Sequence, residues 1–286
     1  MGWTLAIGAR CYSSWSLRGW LLFDAFGLPV RTVTAPMYTP DFARVLEDFA
    51  PARTVPAARL GDAVVWDSLA IAEELATRHP EAGHWPADPA QRAAARSMVA
   101  EMHSGFAALR SHCAMNLRTA YTEVPVPAAV RADLDRIEAL WARAEGWLFG
   151  AYSAADAFFA PVAMRIAGHG LPVGPAAQDH VARHLAHPSL RRWRAVGLAS
   201  DPVISVYDRD WPQAPWPGPA PIPARPVAEG RAENAACPYS GRPVAHLLEM
   251  EGRLWGFCNP GCRDKTMRDP EAWPAFMAMV RAHPPA

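Results

Sequence analysis

Residues 3–7 (WTLAI) are almost all apolar, which predicts a short buried strand. Over 16–26, Leu17, Trp20, Leu21 and Leu22 recur at helical spacing, and Gly27 and Pro29 supply the stop, so a helix is expected there. Residues 30–34 are rich in β-branched side chains and predict a second strand. A short helix is expected over 41–49. Residues 57–60 and 63–66 predict a hairpin about Gly61 and Asp62. Residues 68–77 predict a helix with Leu69, Ile71, Ala72 and Leu75 on its inner side. From residue 90 to about 196 the pattern is helical, with turns expected at 125–127, 168–175 and Pro188. Within it, Ser153-Ala-Ala-Asp156 has the form of a capping box, in which serine and acid each accept from the other's backbone amide.

The order β-α-β-α-β-β-α over residues 1–80 is that of a thioredoxin-like domain. Pro80, Gly83, Pro86 and Pro89 mark a linker, and 90–208 reads as an all-helical domain. Residues 212–226 contain seven prolines in 15 positions and read as a stiff extended spacer, so 209–233 is expected to be a second linker. Residues 234–286 then form a small cysteine-bearing module. A chain of 286 residues is long enough for this organisation.

Lys+Arg and Asp+Glu each number 28, so the net charge is zero. This gives no electrostatic case for a nucleic acid or an anionic membrane as the main partner. No apolar stretch approaches the roughly 20 residues that span a bilayer. The N-terminus lacks the basic-then-apolar pattern of a secretory leader. Five cysteines (Cys11, Cys113, Cys237, Cys258 and Cys262) without such a leader favour reduced thiols and a cytoplasmic location.

Residues 11–18 (CYSSWSLR) follow a strand and open a helix. A helix start presents free amides and partial positive charge, which stabilises a thiolate, and a hydroxyl can donate to that sulfur. Ser13 and Ser14 are therefore candidates to hold the sulfur of a thiol ligand as an anion; either is equally a plain helix cap. Val55-Pro56 precedes the third strand, where a proline is commonly cis and its neighbour presents its backbone to a peptide; an ordinary loop proline fits too. Asp67-Ser68 at a helix start suits an amino-acid end, with amides and hydroxyl for carboxylate and the acid for ammonium, or serves as a cap.

Taken together, YSSWSLRGWLL, TVPAARLGDAVVWDSLAIAEELA and FGAYSAADAFFAPV make residues 3–205 resemble the glutathione S-transferase superfamily, in particular the bacterial serine-type branch near the zeta class. The resemblance implies a thioredoxin-like domain, an all-helical domain, a homodimer, and glutathione as co-substrate with a small electrophile. It puts Ser13 at the activating position with Ser14 beside it, and Val55 and Pro56 against the cysteinyl backbone. Asp67 and Ser68 fall at the γ-glutamyl end, and the Ser153–Asp156 cap serves folding. Arg53-Thr54 stand where the family often has Gly-Lys, and Arg53 faces the glycyl carboxylate in this reading. Omega-like members use a cysteine, so a thiol transferase working through Cys11 is an alternative, as is a non-catalytic glutathione-binding sensor or adaptor.

Residues 101–118 (EMHSGFAALRSHCAMNLR) carry His103, Arg110, Asn116 and Arg118 as candidates for a second-substrate pocket, where several cations would suit an anionic or carbonyl compound. A solvated helix face is the other reading.

In the tail, a hairpin over 244–249 and 253–257 brings Cys237 towards Cys258 and Cys262, two thiols one helical turn apart. This layout resembles small zinc-ribbon or treble-clef-like modules of the YHS or TRASH kind, an α+β fold that uses thiolates for zinc. Ser240 stands where such modules often have a fourth cysteine, and either His246 or a water is the candidate to replace it. Three buried thiols in a small core are the alternative.

Overall fold

A computed structural model describes residues 2–142, 144 and 146–283. The chain begins with strand β1 (Trp3–Ile7), buried throughout as its apolar run requires. Helix α1 (Ser14–Asp24), strand β2 (Val30–Thr34), helix α2 (Asp41–Glu47), the hairpin β3 (Ala57–Leu60) and β4 (Ala63–Trp66), and helix α3 (Ser68–Arg78) follow in the expected order. The sheet order is β2-β1-β3-β4. Strand β1 runs parallel to β2 and antiparallel to β3, with Leu5 opposite both Thr32 and Ala58. This is the thioredoxin-like arrangement.

Helix α1 starts two residues earlier than its periodicity predicts, because Ser13 caps it and Ser14 joins its first turn. Gly19 lets α1 lie directly on the loop before β3: a Cβ there would stand 2.7 Å from the Cβ of Pro56. The Val55–Pro56 peptide is cis, as is Ala50–Pro51.

The helical region comprises α4 (Pro89–Ser104), α5 (Ala107–His112), α6 (Ala128–Trp141), α7 (Ala154–Gly168) and α8 (Pro175–Ala186). Helix α7 packs on α1 and α4 and is buried along nearly its whole length. Its capping box is formed, with Asp156 accepting from the Ser153 amide at 2.9 Å. A two-residue strand β5 (Ala120–Tyr121) pairs with β6 (Gln213–Ala214).

Contacts divide the chain into two compact units, residues 1–185 with 203–217, and 186–202 with 218–286. The second unit holds α9 (Pro188–Ser200), an antiparallel sheet in the order β7 (Ala224–Val227), β8 (His246–Met250), β9 (Arg253–Phe257), and helices α10 (Pro260–Arg268) and α11 (Pro274–Ala282). Leu248, Met250, Trp255, Phe257 and Phe276 form its core. The division falls elsewhere than the sequence boundaries. Helix α9 groups with the tail because it packs on α10 and because Arg191 makes a two-pronged pair with Asp269 at 2.7 and 2.6 Å. The proline-rich run is also no free spacer: residues 224–227 form β7, an edge strand, where Pro226 is tolerated.

Candidate active site

The first unit contains a cleft of about 970 Å³. Its lining includes Tyr12, Ser13, Ser14, Trp15, Thr54, Val55, Pro56, Asp67, Arg110, Arg165 and Tyr207. The start of α1, the cis-proline loop and the start of α3 therefore meet at one opening.

The two serines differ. Ser13 Oγ accepts from the Ser16 amide at 3.3 Å and donates to Ser16 Oγ at 2.8 Å, so its hydroxyl serves the cap. Ser14 Oγ accepts from Arg165 Nη2 at 3.4 Å, which leaves its own proton free to donate. Asp67 has φ +73° and ψ 136°, a backbone conformation held by the hydrogen bond from the Leu69 amide to its carboxylate at 2.7 Å. Ser68 is fully buried and its Oγ has no partner among the described residues. Arg53 is exposed and is not part of the cleft lining, because its side chain leaves the loop on the side of α2.

Of the second-substrate candidates, Arg110 lines the cleft. His103 stands behind it, with Nε2 3.3 Å from Asp67 Oδ2, and burial pushes its pKa down although Asp67 pulls the other way. Asn116 is buried and committed: it donates to Asp208 at 3.0 Å and accepts from the Arg118 amide at 2.9 Å. Neither Asn116 nor Arg118 lines the cleft.

Sequence reading missed Arg165, Trp15 and Tyr207. Arg165 had a signal, since it is the one charged residue between Asp156 and the end of an otherwise apolar α7. Burial and the neighbouring Arg110 lower its pKa to about 10. Arg18 is likewise buried; desolvation, Arg110 and Arg165 bring it down to about 9. Cys11 is fully buried and lies outside the lining, so its thiol does not face the cleft.

In the second unit the sulfurs of Cys237, Cys258 and Cys262 lie within 4.8 Å of one another. His246 is not in this group: it sits at the start of β8, paired opposite Phe257, where the strand register fixes it. Ser240 Oγ and Asn259 Nδ2 each donate to Cys258 Sγ at 3.2 Å. Burial opposes ionisation of Cys237, but amide and hydroxyl donors outweigh it and bring the thiol to about 7. A second group, Asp156, His180 and His184, is buried in the first unit. There the carboxylate is held by Leu148 and Ser153, and the two histidine Nε2 atoms are 3.2 Å apart, which makes it a hydrogen-bonded core network.

Residues 12–78 match the family described as glutathione S-transferase, N-terminal domain. A glutathione transferase homologue from Burkholderia gl BGR1, solved with bound glutathione, is 24% identical, and the match covers 70% of this chain and 100% of that one with a TM-score of 0.55. A homologue from Sulfitobacter, also with bound glutathione, is 23% identical over 66% of this chain and 95% of that one, TM-score 0.53. Glutathione transferase Omega 3C from Trametes versicolor is 19% identical over 68% and 88%, TM-score 0.54. At these identities the likeness shows the glutathione transferase fold, a thioredoxin-like sheet followed by helices. No curated protein matches the chain.

Proposed function

We propose that this chain is a glutathione transferase that holds the glutathione sulfur as a thiolate at the start of α1 and directs it at a small electrophile in the cleft. The observation that carries the reading is the convergence of Ser14, the Val55–Pro56 loop and Asp67 on one cleft. Val55 offers its backbone to the cysteinyl unit. Asp67 takes the γ-glutamyl ammonium and the α3 amides suit its carboxylate, whereas Ser68 is fully buried and outside the cleft lining, so its hydroxyl does not face the ligand. Ser14 is the better placed hydroxyl for the thiolate, because Ser13 is engaged with Ser16. Conjugation and zeta-like cis–trans isomerisation both begin with this thiolate. The homodimer and the cytoplasmic setting belong to the same reading.

The test is ultraviolet thiolate absorbance on adding glutathione near pH 7. A saturable signal that Ser14→Ala abolishes and Ser13→Ala reduces less is expected. Absence of a signal in the wild type would sink thiolate activation; a signal with no turnover across an electrophile screen would favour the sensor or adaptor. The burial of Cys11 counts against the cysteine-based alternative.

For the tail we propose a zinc site on Cys237, Cys258 and Cys262. Three converging sulfurs suit zinc in softness and number, with one position left for a non-protein ligand.

A further inference from the structure

Resting on the zinc reading of the tail, the inference concerns Lys265, the only lysine of the chain. Lys265 lies on α10, one helical turn beyond Cys262. Its ammonium is held between two rings, 3.9 Å from the centre of Tyr239 and 4.0 Å from that of Trp273. Both rings are fixed. The Thr266 hydroxyl donates to the Cys262 carbonyl at 2.8 Å, so it accepts from the Tyr239 hydroxyl at 2.5 Å. Trp273 Nε1 donates to the Lys265 carbonyl at 3.2 Å. A lysine ordinarily extends its head into water. This one is half-buried, and among the described residues it pairs with no carboxylate. The charged groups that act on it are the thiols of Cys262 and Cys237, which offset part of what burial costs the ammonium.

The three sulfurs are not served alike. Cys258 Sγ accepts from Ser240 Oγ and Asn259 Nδ2, each at 3.2 Å. Cys237 accepts from the amides of Tyr239 and Cys258. Cys262 accepts from no nitrogen or hydroxyl among the described residues, and the charge that favours its thiolate is that of Lys265. Zinc with three thiolates carries one negative charge overall, and thiolates are the nucleophilic form of cysteine. A positive neighbour stabilises such a sulfur and lowers its reactivity.

We infer that Lys265 is the counter-ion of the Cys262 sulfur and protects the loaded zinc site against electrophiles, with Tyr239 and Trp273 bracing the ammonium in place. Lys265 is a positioning residue and not a ligand, because an ammonium has no lone pair to give a metal.

The test loads the full chain with zinc and follows zinc release with a chromophoric chelator during treatment with iodoacetamide. Alkylation forms a carbon–sulfur bond as iodide leaves with the electron pair, and zinc loses a thiolate ligand. Lys265→Met keeps an unbranched stem against the two rings and removes the charge. Its zinc release is expected to be about tenfold faster than that of the wild type, the scale of losing a partner behind a metal ligand. Lys265→Arg keeps a cation between the rings and should stay within about twofold of the wild type. Peptide mapping should place the extra alkylation on Cys262. Because the chain has one lysine, the charge can also be removed without a variant. Acetylation of the zinc-loaded wild type should speed release, and reductive dimethylation, which keeps the charge, should not. Equal release from wild type and Lys265→Met, or from the acetylated and dimethylated wild type, would overturn this inference alone. Fast release from Lys265→Arg as well would also overturn it, since shape and not charge would then matter. A wild type that binds no zinc would overturn it together with the zinc reading.

Discussion

One turn beyond Arg165, His169 shows how a buried side chain couples this region to pH. Its Nδ1–H donates to the Arg165 carbonyl at 3.0 Å, while Nε2 is buried without a partner among the described residues. Charging the ring would require a proton on that nitrogen, so burial lowers the pKa to about 4. The unfolded chain binds this proton below about 6.5 and the folded chain does not until about 4. The associated stability is thus intact above about 6.5 and is lost as the pH falls towards 4. From pH 7 to 5 the loss is about 2 kcal/mol for this residue. Urea unfolding at both pH values should show a difference smaller by about that amount in His169→Gln, which keeps a donor but does not titrate. An unchanged difference would mean that the ring is already protonated in the fold or that His180, which burial also brings to about 4, dominates.

Elements were more legible than their side-chain duties. Periodicity located β1 to α3 because each buries one face against its neighbours, and the hairpin turn at Gly61-Asp62 has its own chemistry. The start of α1 shifted because capping, not apolar spacing, decides the first turn. Periodicity also could not tell which of two adjacent serines a cap would consume, since that depends on Ser16 Oγ also accepting from the Gly8 amide. Arg110 was accessible as a polar position on a predicted helix. Arg118 and Asn116 looked equivalent in sequence, and the loop after α5 turns them away from the cleft. The Gly19 contact gives a prediction at this scale. Alanine is favoured over glycine in a helix by about 1 kcal/mol, but its Cβ would stand 2.7 Å from Pro56. Overpacking costs of about 1–3 kcal/mol should win, and the shift falls on the loop that carries Val55. Gly19→Ala should therefore unfold at lower urea and bind S-methylglutathione more weakly. A more stable variant with unchanged binding would show that α1 does not rest on this loop.

On the scale of the whole molecule, the two units have different means of holding together. The first buries β1 and α7 almost completely and has a large apolar interior. The second has a small core around Trp255, Phe257 and Phe276, with three sulfurs at its edge and a salt bridge from Arg191 to Asp269. So small a core gains from a cross-link, and a metal that binds only the folded site adds its binding energy to stability. If zinc bridges the three thiolates, removing it should destabilise the second unit and leave the first nearly unchanged. Two thermal transitions are then expected after chelation, the lower one restored by added zinc. Metal analysis should give one zinc per chain, lost in Cys258→Ser. His246→Ala should keep its zinc, because His246 lies outside the thiol group. Loss of zinc in that variant would place the fourth ligand on β8 after all, and a wild type that binds none would leave the three thiols as part of the core.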